Sequence, residues 1–248
     1  KIRIMKNVLI TGCSSGFGFD ASKYLASKGY HVYATIRNVN SKNLIPANML
    51  NEFAMASKLE LDVLEMDVTS DESVANAVAN IPNIDVLINN AGKGYGGAIE
   101  ALTSDQCLAQ LDLNIVGTVR TAKAVLPKMR SNGSGLIIQV SSIAGRGAFP
   151  GFGVYHASKW GLEGLSESLR YEVASHGIDV VMVEPGPFAT SFFGSMIPAE
   201  DKGVAEAYNH VNEFFKGFGN QVTEMFEDDN APTDPMIVVK IFEKLIET

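Results

Sequence analysis

The stretch Asn7-Val-Leu-Ile-Thr11-Gly12-Cys13-Ser14-Ser15-Gly16-Phe17-Gly18 decides the fold. Asn7–Thr11 reads as a short apolar strand and Gly18–Lys28 as an amphipathic helix, with glycines 12, 16 and 18 at the turn between them. Glycines at such a turn let the backbone approach a pyrophosphate closely, and the helix start offers free N–H groups and a positive dipole. The spacing is TGxxxGxG, not the GxGxxG of the common dinucleotide fingerprint, so a merely tight strand-to-helix turn is the competing reading. Gly12, Ser14, Ser15, Gly16, Phe17 and Gly18 are the candidate contacts.

Outward from this turn the pattern repeats. Candidate strands are Asn7–Thr11, His31–Ile36, Leu61–Met66, Val86–Asn89, Leu136–Ser141 and Ile178–Glu184. They are nearly continuously apolar, as expected of parallel strands covered on both faces. Helical patterns lie between them at Gly18–Lys28, Met49–Ser57, Asp71–Ala79, Ser104–Arg130 and Tyr155–Ser175, with Ser70 and Thr103 as N-caps. This alternation predicts a single α/β domain over 1–248, a doubly wound, Rossmann-type parallel sheet with strand order 3-2-1-4-5-6. Residues 188–218, rich in Phe, Gly and Met, read as a lid over a site, and Asp234–Glu247 as a last helix.

Composition narrows the function. The 248 residues carry 20 Lys+Arg against 28 Asp+Glu, a formal charge of −8. That balance, with no basic block, argues against nucleic acid or an anionic membrane as partner. No apolar run approaches the roughly 18–20 residues of a membrane span, and the start lacks a signal peptide's pattern. Met5 is a candidate natural start, with Lys1–Ile4 as a foreign extension. Cys13 and Cys107 lie far apart and read as reduced thiols of a cytoplasmic protein. The four histidines form no zinc pattern, so no metal is expected.

Two ends of a binding cleft follow. Strand two ends in Thr35-Ile36-Arg37, with an arginine where a ribose-binding carboxylate would favour NAD. A guanidinium there suits a 2′-phosphate, so NADP(H) is the expected cofactor, with Ser15 a second phosphate contact; a solvated loop charge is the alternative for Arg37. Asp67, with Val68, ends strand three and is placed for an adenine amino group or for helix capping. Strand four runs into Asn89-Asn90-Ala91-Gly92, where small residues again permit close backbone approach. Strand five ends at Ser141-Ser142, and thirteen residues after Ser142 comes Tyr155, with Lys159 four further on. A helix puts Tyr155 and Lys159 on one face. An ammonium and an oxidised nicotinamide beside the phenol would lower its pKa from about 10, letting it exchange a proton with a carbonyl or carbinol oxygen.

Taken together, Thr11–Gly18, Asn89–Gly92, Asn114, Ser142, Tyr155–Lys159 and Pro185-Gly186 with Thr190 resemble the single-domain branch of the short-chain dehydrogenase/reductase family. Tyr33–Arg37, Ile99–Leu102 and Leu113–Arg120 resemble its NADP(H)-preferring hydroxysteroid and retinol dehydrogenases. The resemblance implies Tyr155 as acid/base, Ser142 as holder of the substrate oxygen and Lys159 as ribose ligand and modulator of the tyrosine. It also implies Asn114 as holder of a water in a proton relay, and Pro185, Gly186, Phe188 and Thr190 around the nicotinamide. Read without the family, Asn114 simply packs at a kink before Gly117, and Ser141 competes with Ser142. The reaction implied is hydride transfer between NADP(H) and a ketone or secondary alcohol. Tyr95, Phe149, Phe152, Phe192 and Met196, with Lys93, Gly94 and Phe193, are the candidate substrate wall, which points to a hydrophobic carbonyl compound. An acyl-carrier-protein ketoreductase and a non-catalytic NADP(H)-binding regulator are the competing functions. By the same resemblance, the Ser104–Arg130 and Tyr155–Ser175 helices pair with their copies in a homodimer or homotetramer. His156 and Trp160 flank the catalytic pair as packing or subunit-contact residues. Family members usually add a strand after a helix like Asp234–Glu247, so a six-stranded sheet and a longer chain are both compatible with this sequence.

Overall fold

The computed structural model describes residues 5–228 and 230–248; Lys1–Ile4, on which the question of the natural start bears, lie outside the described residues. The chain runs through β1 (Asn7–Ile10), α1 (Gly16–Ser27), β2 (His31–Ile36), α2 (Leu44–Ser57), β3 (Leu61–Glu65), α3 (Asp71–Ala79) and β4 (Val86–Asn89). It continues through β5 (Tyr95–Gly96), α4 (Ser104–Leu111), α5 (Gly117–Asn132), β6 (Gly135–Val140), α6 (Gly153–Val173) and β7 (Ile178–Val183). The last elements are β8 (Ile197–Pro198), α7 (Lys202–Ala207), α8 (Asn209–Glu227) and α9 (Met236–Glu247).

The main sheet is wholly parallel, with order β3-β2-β1-β4-β6-β7. This is the expected 3-2-1-4-5-6 once the two-residue β5 is left out of the count. Val8 of β1 lies opposite Val32 on one side and Val86 on the other. Side chains alternate between the faces, and both faces are covered. Val8 and Ile10 pack with Leu25 of α1, Leu50 of α2 and Phe242 of α9. Leu9, Leu87 and Ile137 pack on the opposite side with Val78 of α3, Val125 of α5 and Val173 of α6. That double burial is why the strand sequences lack alternation.

Local chemistry sets the helix ends. The Ser70 hydroxyl accepts from Ser73 N at 3.2 Å, and Thr103 forms a reciprocal capping box with Gln106. α2 begins at Leu44, five residues before the expected Met49, because Pro46 sits in its first turn, where a missing N–H costs nothing. The helix expected over Ser104–Arg130 is interrupted: α4 stops at Leu111, Asp112–Val116 forms a π-helical turn, and α5 resumes at Gly117. A π turn inserts an extra residue into the helical ladder, a device common at functional sites.

The lid segment has more order than its composition implied. β8 pairs in parallel with β5, Tyr95 opposite Ile197, and α8 carries the segment to Glu227, past Phe218. The final helix starts at Met236 because the Asp234 carboxylate accepts from Met236 N at 2.9 Å.

Phe242 is fully buried where α9 meets the sheet, so α9 is part of the main core. Phe242→Ala is expected to cost about 3–5 kcal/mol in denaturant unfolding. Ile45→Ala, at an exposed position of α2, is expected to stay within about 0.5 kcal/mol of wild type.

Candidate active site

The strand order reverses between β1 and β4, and a cleft opens at their C-terminal ends, where ligands bind in open α/β sheets. Thr11 clasps the two halves. Its hydroxyl accepts from Asn90 N (2.9 Å) and Ala91 N (2.8 Å), while Asn90 Nδ2 donates to Thr11 O (2.9 Å) and Gly12 O (3.1 Å). The side chain of Asn90 is therefore spent on the turn it faces. Gly12 has φ +72°, and a Cβ there would lie 2.8 Å from Ala91 Cα. A Cβ on Gly18 would lie 2.6 Å from both Asn90 Nδ2 and Gly12 O, so neither glycine has room for a side chain where the two turns meet. Gly12, Ser14, Ser15, Gly16 and Phe17 line the cleft, and the first turn of α1 has no side-chain cap. Gly18 lies behind them, buried in α1. Uncapped N–H groups facing a glycine cradle fit a pyrophosphate.

At one end of the cleft Arg37 and Asp67 face each other, Arg37 Nη1 lying 3.9 Å from Asp67 Oδ2. Asp67 Oδ1 accepts from Thr69 N (2.9 Å) and Thr69 Oγ1 (2.7 Å), so one of its oxygens caps its own loop. Ile36, Met66 and Val68 supply apolar lining. Lys93 lines the cleft too; burial lowers its pKa, and the fields of Arg37 and Lys42 lower it further. Three cations thus share this region, and Lys42 is one that the sequence pattern did not single out. The donor set fits a phosphate monoester better than a bare ribose hydroxyl.

At the other end lie Ser142, Tyr155 and Lys159. Ser142 Oγ accepts from Ala144 N at 3.1 Å, which fixes it at the start of a short turn. Ser141, its rival, also lines the cleft, but its hydroxyl is buried without a hydrogen bond among the described residues, and it is Ser142 whose influence on the Tyr155 phenol lowers the phenol's pKa. Lys159 Nζ donates to Val140 O at 2.8 Å and stands 5.9 Å from the centre of the Tyr155 ring. Burial pushes the Tyr155 phenol up to about 12, with Ser142 pulling the other way, and it pulls Lys159 down to about 8. Desolvation disfavours both charged forms.

Asn114 sits in the π turn, fully buried. Its Nδ2 donates to Ser158 Oγ (3.0 Å) and Lys93 O (3.2 Å), and its Oδ1 accepts from Lys93 N (3.2 Å). The amide is thereby committed to α6 and to the stretch after β4, and Asn114 itself does not line the cleft. The bland kink reading is replaced by a specific tie between elements.

The wall beyond Tyr155 is aromatic. Phe149, Phe152, Phe192, Phe193 and Phe218 line it, with Phe192 5.3 Å from the Tyr155 ring centre. Pro185, Gly186, Phe188 and Thr190 line the adjoining stretch. Phe188 packs edge-on against Phe17, and Ser191 Oγ donates to Ser15 Oγ at 3.0 Å, fastening the lid to the glycine turn. Tyr95 and Met196 do not line the cleft. Tyr95 is held in β5, its N–H donating to Gln110 Oε1, and Met196 lies against Gly94. His156 is buried behind the site, its Nδ1 on Ala144 O (2.9 Å) and its Nε2 accepting from Phe149 N (3.1 Å), whereas Trp160 is exposed.

Comparison with known proteins now decides the family. Residues 6–201 match the short chain dehydrogenase family model. The chain belongs to the short-chain dehydrogenase family. It is 35% identical to human 17-beta-hydroxysteroid dehydrogenase type 1 over 243 residues, covering 95% of this chain and 72% of that one. It is likewise 35% identical to bovine (Bos taurus) retinol dehydrogenase 8 over 258 residues, covering 97% and 78%. A crystal structure of a short-chain dehydrogenase from Streptomyces avermitilis superposes with a TM-score of 0.81 at 31% identity, covering 100% of this chain and 86% of that one. These bear out the family resemblance and its hydroxysteroid and retinol dehydrogenase branch.

In this short-chain dehydrogenase the lining residues missed by sequence include Leu113, Val140, Ile143, Ala144, Ser191 and Phe218. Phe218 was legible in principle, since Phe214, Phe215 and Phe218 recur at helical spacing in α8. Cys13, inside the glycine turn, is fully buried and donates to Ile10 O; burial pushes its thiol up to about 12. It therefore stays protonated and inert at ordinary pH. A thiol reagent at pH 8 is expected to label Cys107 and spare Cys13 until the protein is denatured; labelling of Cys13 in the native state contradicts this.

Proposed function

We propose that this chain is an NADP(H)-dependent oxidoreductase that interconverts a bulky hydrophobic ketone and its secondary alcohol. The observation that carries the reading is the convergence of Ser142, Tyr155 and Lys159 at the aromatic end of a cleft whose other end holds Arg37. The glycine cradle of Gly12, Ser14, Ser15 and Gly16 would hold the pyrophosphate, and Arg37, with Lys93 nearby, the 2′-phosphate. Ala91, Gly92, Pro185, Gly186 and Thr190 would line the nicotinamide half. Bound there, the cofactor supplies or accepts a hydride at the substrate carbon.

The chain's own groups do the rest. Ser142 Oγ holds the substrate oxygen by a hydrogen bond. Tyr155 Oη gives that oxygen a proton during reduction and takes one during oxidation. In the protein alone the phenol is a poor acid because burial holds it at about 12. The positive charges of Lys159 and of an oxidised nicotinamide bring it toward neutrality. Phe149, Phe152, Phe192, Phe193 and Phe218 exclude water and accept an apolar body. The names of two relatives, a hydroxysteroid dehydrogenase and a retinol dehydrogenase, support that class of substrate.

Exposed Leu108, Val116 and Trp160, on α4, the π turn and α6, support pairing of two copies along these helices. No helix among the described residues is long and apolar enough to cross a membrane.

Tyr155→Phe is expected to reduce turnover by about 10²–10⁴-fold while NADPH affinity, read by fluorescence titration, barely changes. Unchanged turnover with steroid, retinoid or aromatic ketones overturns the mechanism. Arg37→Asp is expected to lower the NADPH/NADH ratio of kcat/KM by about tenfold or more, and an unchanged ratio removes the phosphate role from Arg37.

A further inference from the structure

One buried charge has no place in the mechanism above. Glu163 follows Lys159 by four residues on α6, as Lys159 follows Tyr155, so the three form one column on the helix. Its side chain is only 8% exposed. Oε1 makes no hydrogen bond among the described residues, and Oε2 has Arg146 Nη2 at 3.2 Å. Arg146, more than half exposed, is also held by Glu184, with Nη2 2.8 Å from Oε1 and Nε donating to Oε2 at 3.2 Å. The backbone makes room for this carboxylate: a Cβ on Gly145 would lie 2.9 Å from Glu163 Cγ and 3.0 Å from its Oε1.

A buried carboxylate with one half-exposed cationic partner is expensive to keep for stability alone, since an apolar residue of similar shape serves as well or better. What the position offers is proximity to Lys159. Lys159 is buried apart from the edge it turns to the cleft, and its hydrogen bond goes to one carbonyl, Val140 O. We infer that Glu163 is the electrostatic partner that keeps Lys159 charged, acting from the side of the lysine away from Tyr155, while Arg146 moderates its pull. The inference rests on the functional reading of Lys159 given above. The direction of the lysine's shift agrees with it: burial lowers the pKa to about 8, and the Glu163 charge opposes that fall.

The other charges around α6 leave this role to Glu163. Asp112, in the π turn, is taken up by Arg120 at 2.8 Å. His156 is engaged by Ala144 O and Phe149 N. Asp105 of α4, Glu167 of α6, His176 and Asp179 are exposed. Glu184, after β7, and Arg146 face Glu163 from the loops that follow the sheet and complete the set. Tyr155 lies on the far side of the lysine in the same column.

The two members of the pair predict opposite signs. Glu163→Gln removes the negative charge, so the Lys159 ammonium loses protons at lower pH. Arg146→Gln removes the cation that competes for the Glu163 carboxylate, so the ammonium persists to higher pH. The full-length protein, with lysine side chains isotopically labelled, is titrated by NMR, the Lys159 signal being assigned by its disappearance in Lys159→Arg. Glu163→Gln is expected to move the titration down by about one pH unit or more, with Glu163→Asp recovering most of the shift. Arg146→Gln is expected to move it up. The alkaline limb of kcat/KM for ketone reduction should follow in the same directions, with little change on its acid side. An unmoved Lys159 in Glu163→Gln, a downward shift in Arg146→Gln, or a loss of activity equal at every pH overturns the inference. Should Glu163→Gln fail to fold, the exposed Arg146→Gln decides the question by its sign. The NMR readout needs no turnover. A lysine that responds as stated in a protein that reduces no ketone supports the ion pair and defeats the functional reading instead.

Discussion

The site depends on one hydroxyl. Thr11 ends the first strand, and its Oγ1 takes the N–H groups of Asn90 and Ala91 while Asn90 returns its amide to the backbone of Thr11 and Gly12. These bonds close the point where the winding of the sheet reverses, so the turn that would cradle the pyrophosphate and the turn that would meet the nicotinamide sit at a fixed separation. The absence of side chains at Gly12 and Gly18 follows from the same closeness. Two polypeptide turns in backbone contact leave no space for Cβ atoms.

Burial governs the chemistry as it governs the fold. The helix that carries Tyr155 and Lys159 packs on the sheet through the same face that presents them to the cleft, so neither is well solvated. In the proposed reaction a phenol that must exchange a proton and an ammonium that must stay charged both sit where water would otherwise do the work. Fixed charges have to replace it, which makes the site sensitive to groups several residues away along α6. This is why a carboxylate that touches nothing in the cleft can matter to it.

Much of this was legible in the sequence. The strand order followed from the alternation of apolar runs with helical patterns, and Thr11–Gly18 followed from spacing alone. The Tyr155–Lys159 pairing was legible because i, i+4 spacing on a helix places two side chains together whatever else the fold does. Other features depend on tertiary contact. The interruption of the α4–α5 helix is decided by Asn114 reaching Lys93 and Ser158, forty-four residues away in the case of Ser158, and no local propensity encodes that. Tyr95 and Met196 were assigned to the substrate wall by type, yet a two-residue strand pairing holds the segments that carry them beside the cleft. The upward shift of the Tyr155 phenol was likewise hidden, because it depends on how deeply the helix is buried rather than on which residues it carries.

The seam beside the cleft has a consequence for how the lid is held. Gly94 and Gly96 present bare backbone to the tips of Met196 and Phe215, closer than an added methyl group would allow. The lid segment therefore rests directly on main chain there, outside the cleft lining. A side chain introduced at either glycine would be felt first as a shift of the Met196 or Phe215 tip, so the seat of the lid is set by residues that no ligand in the cleft touches.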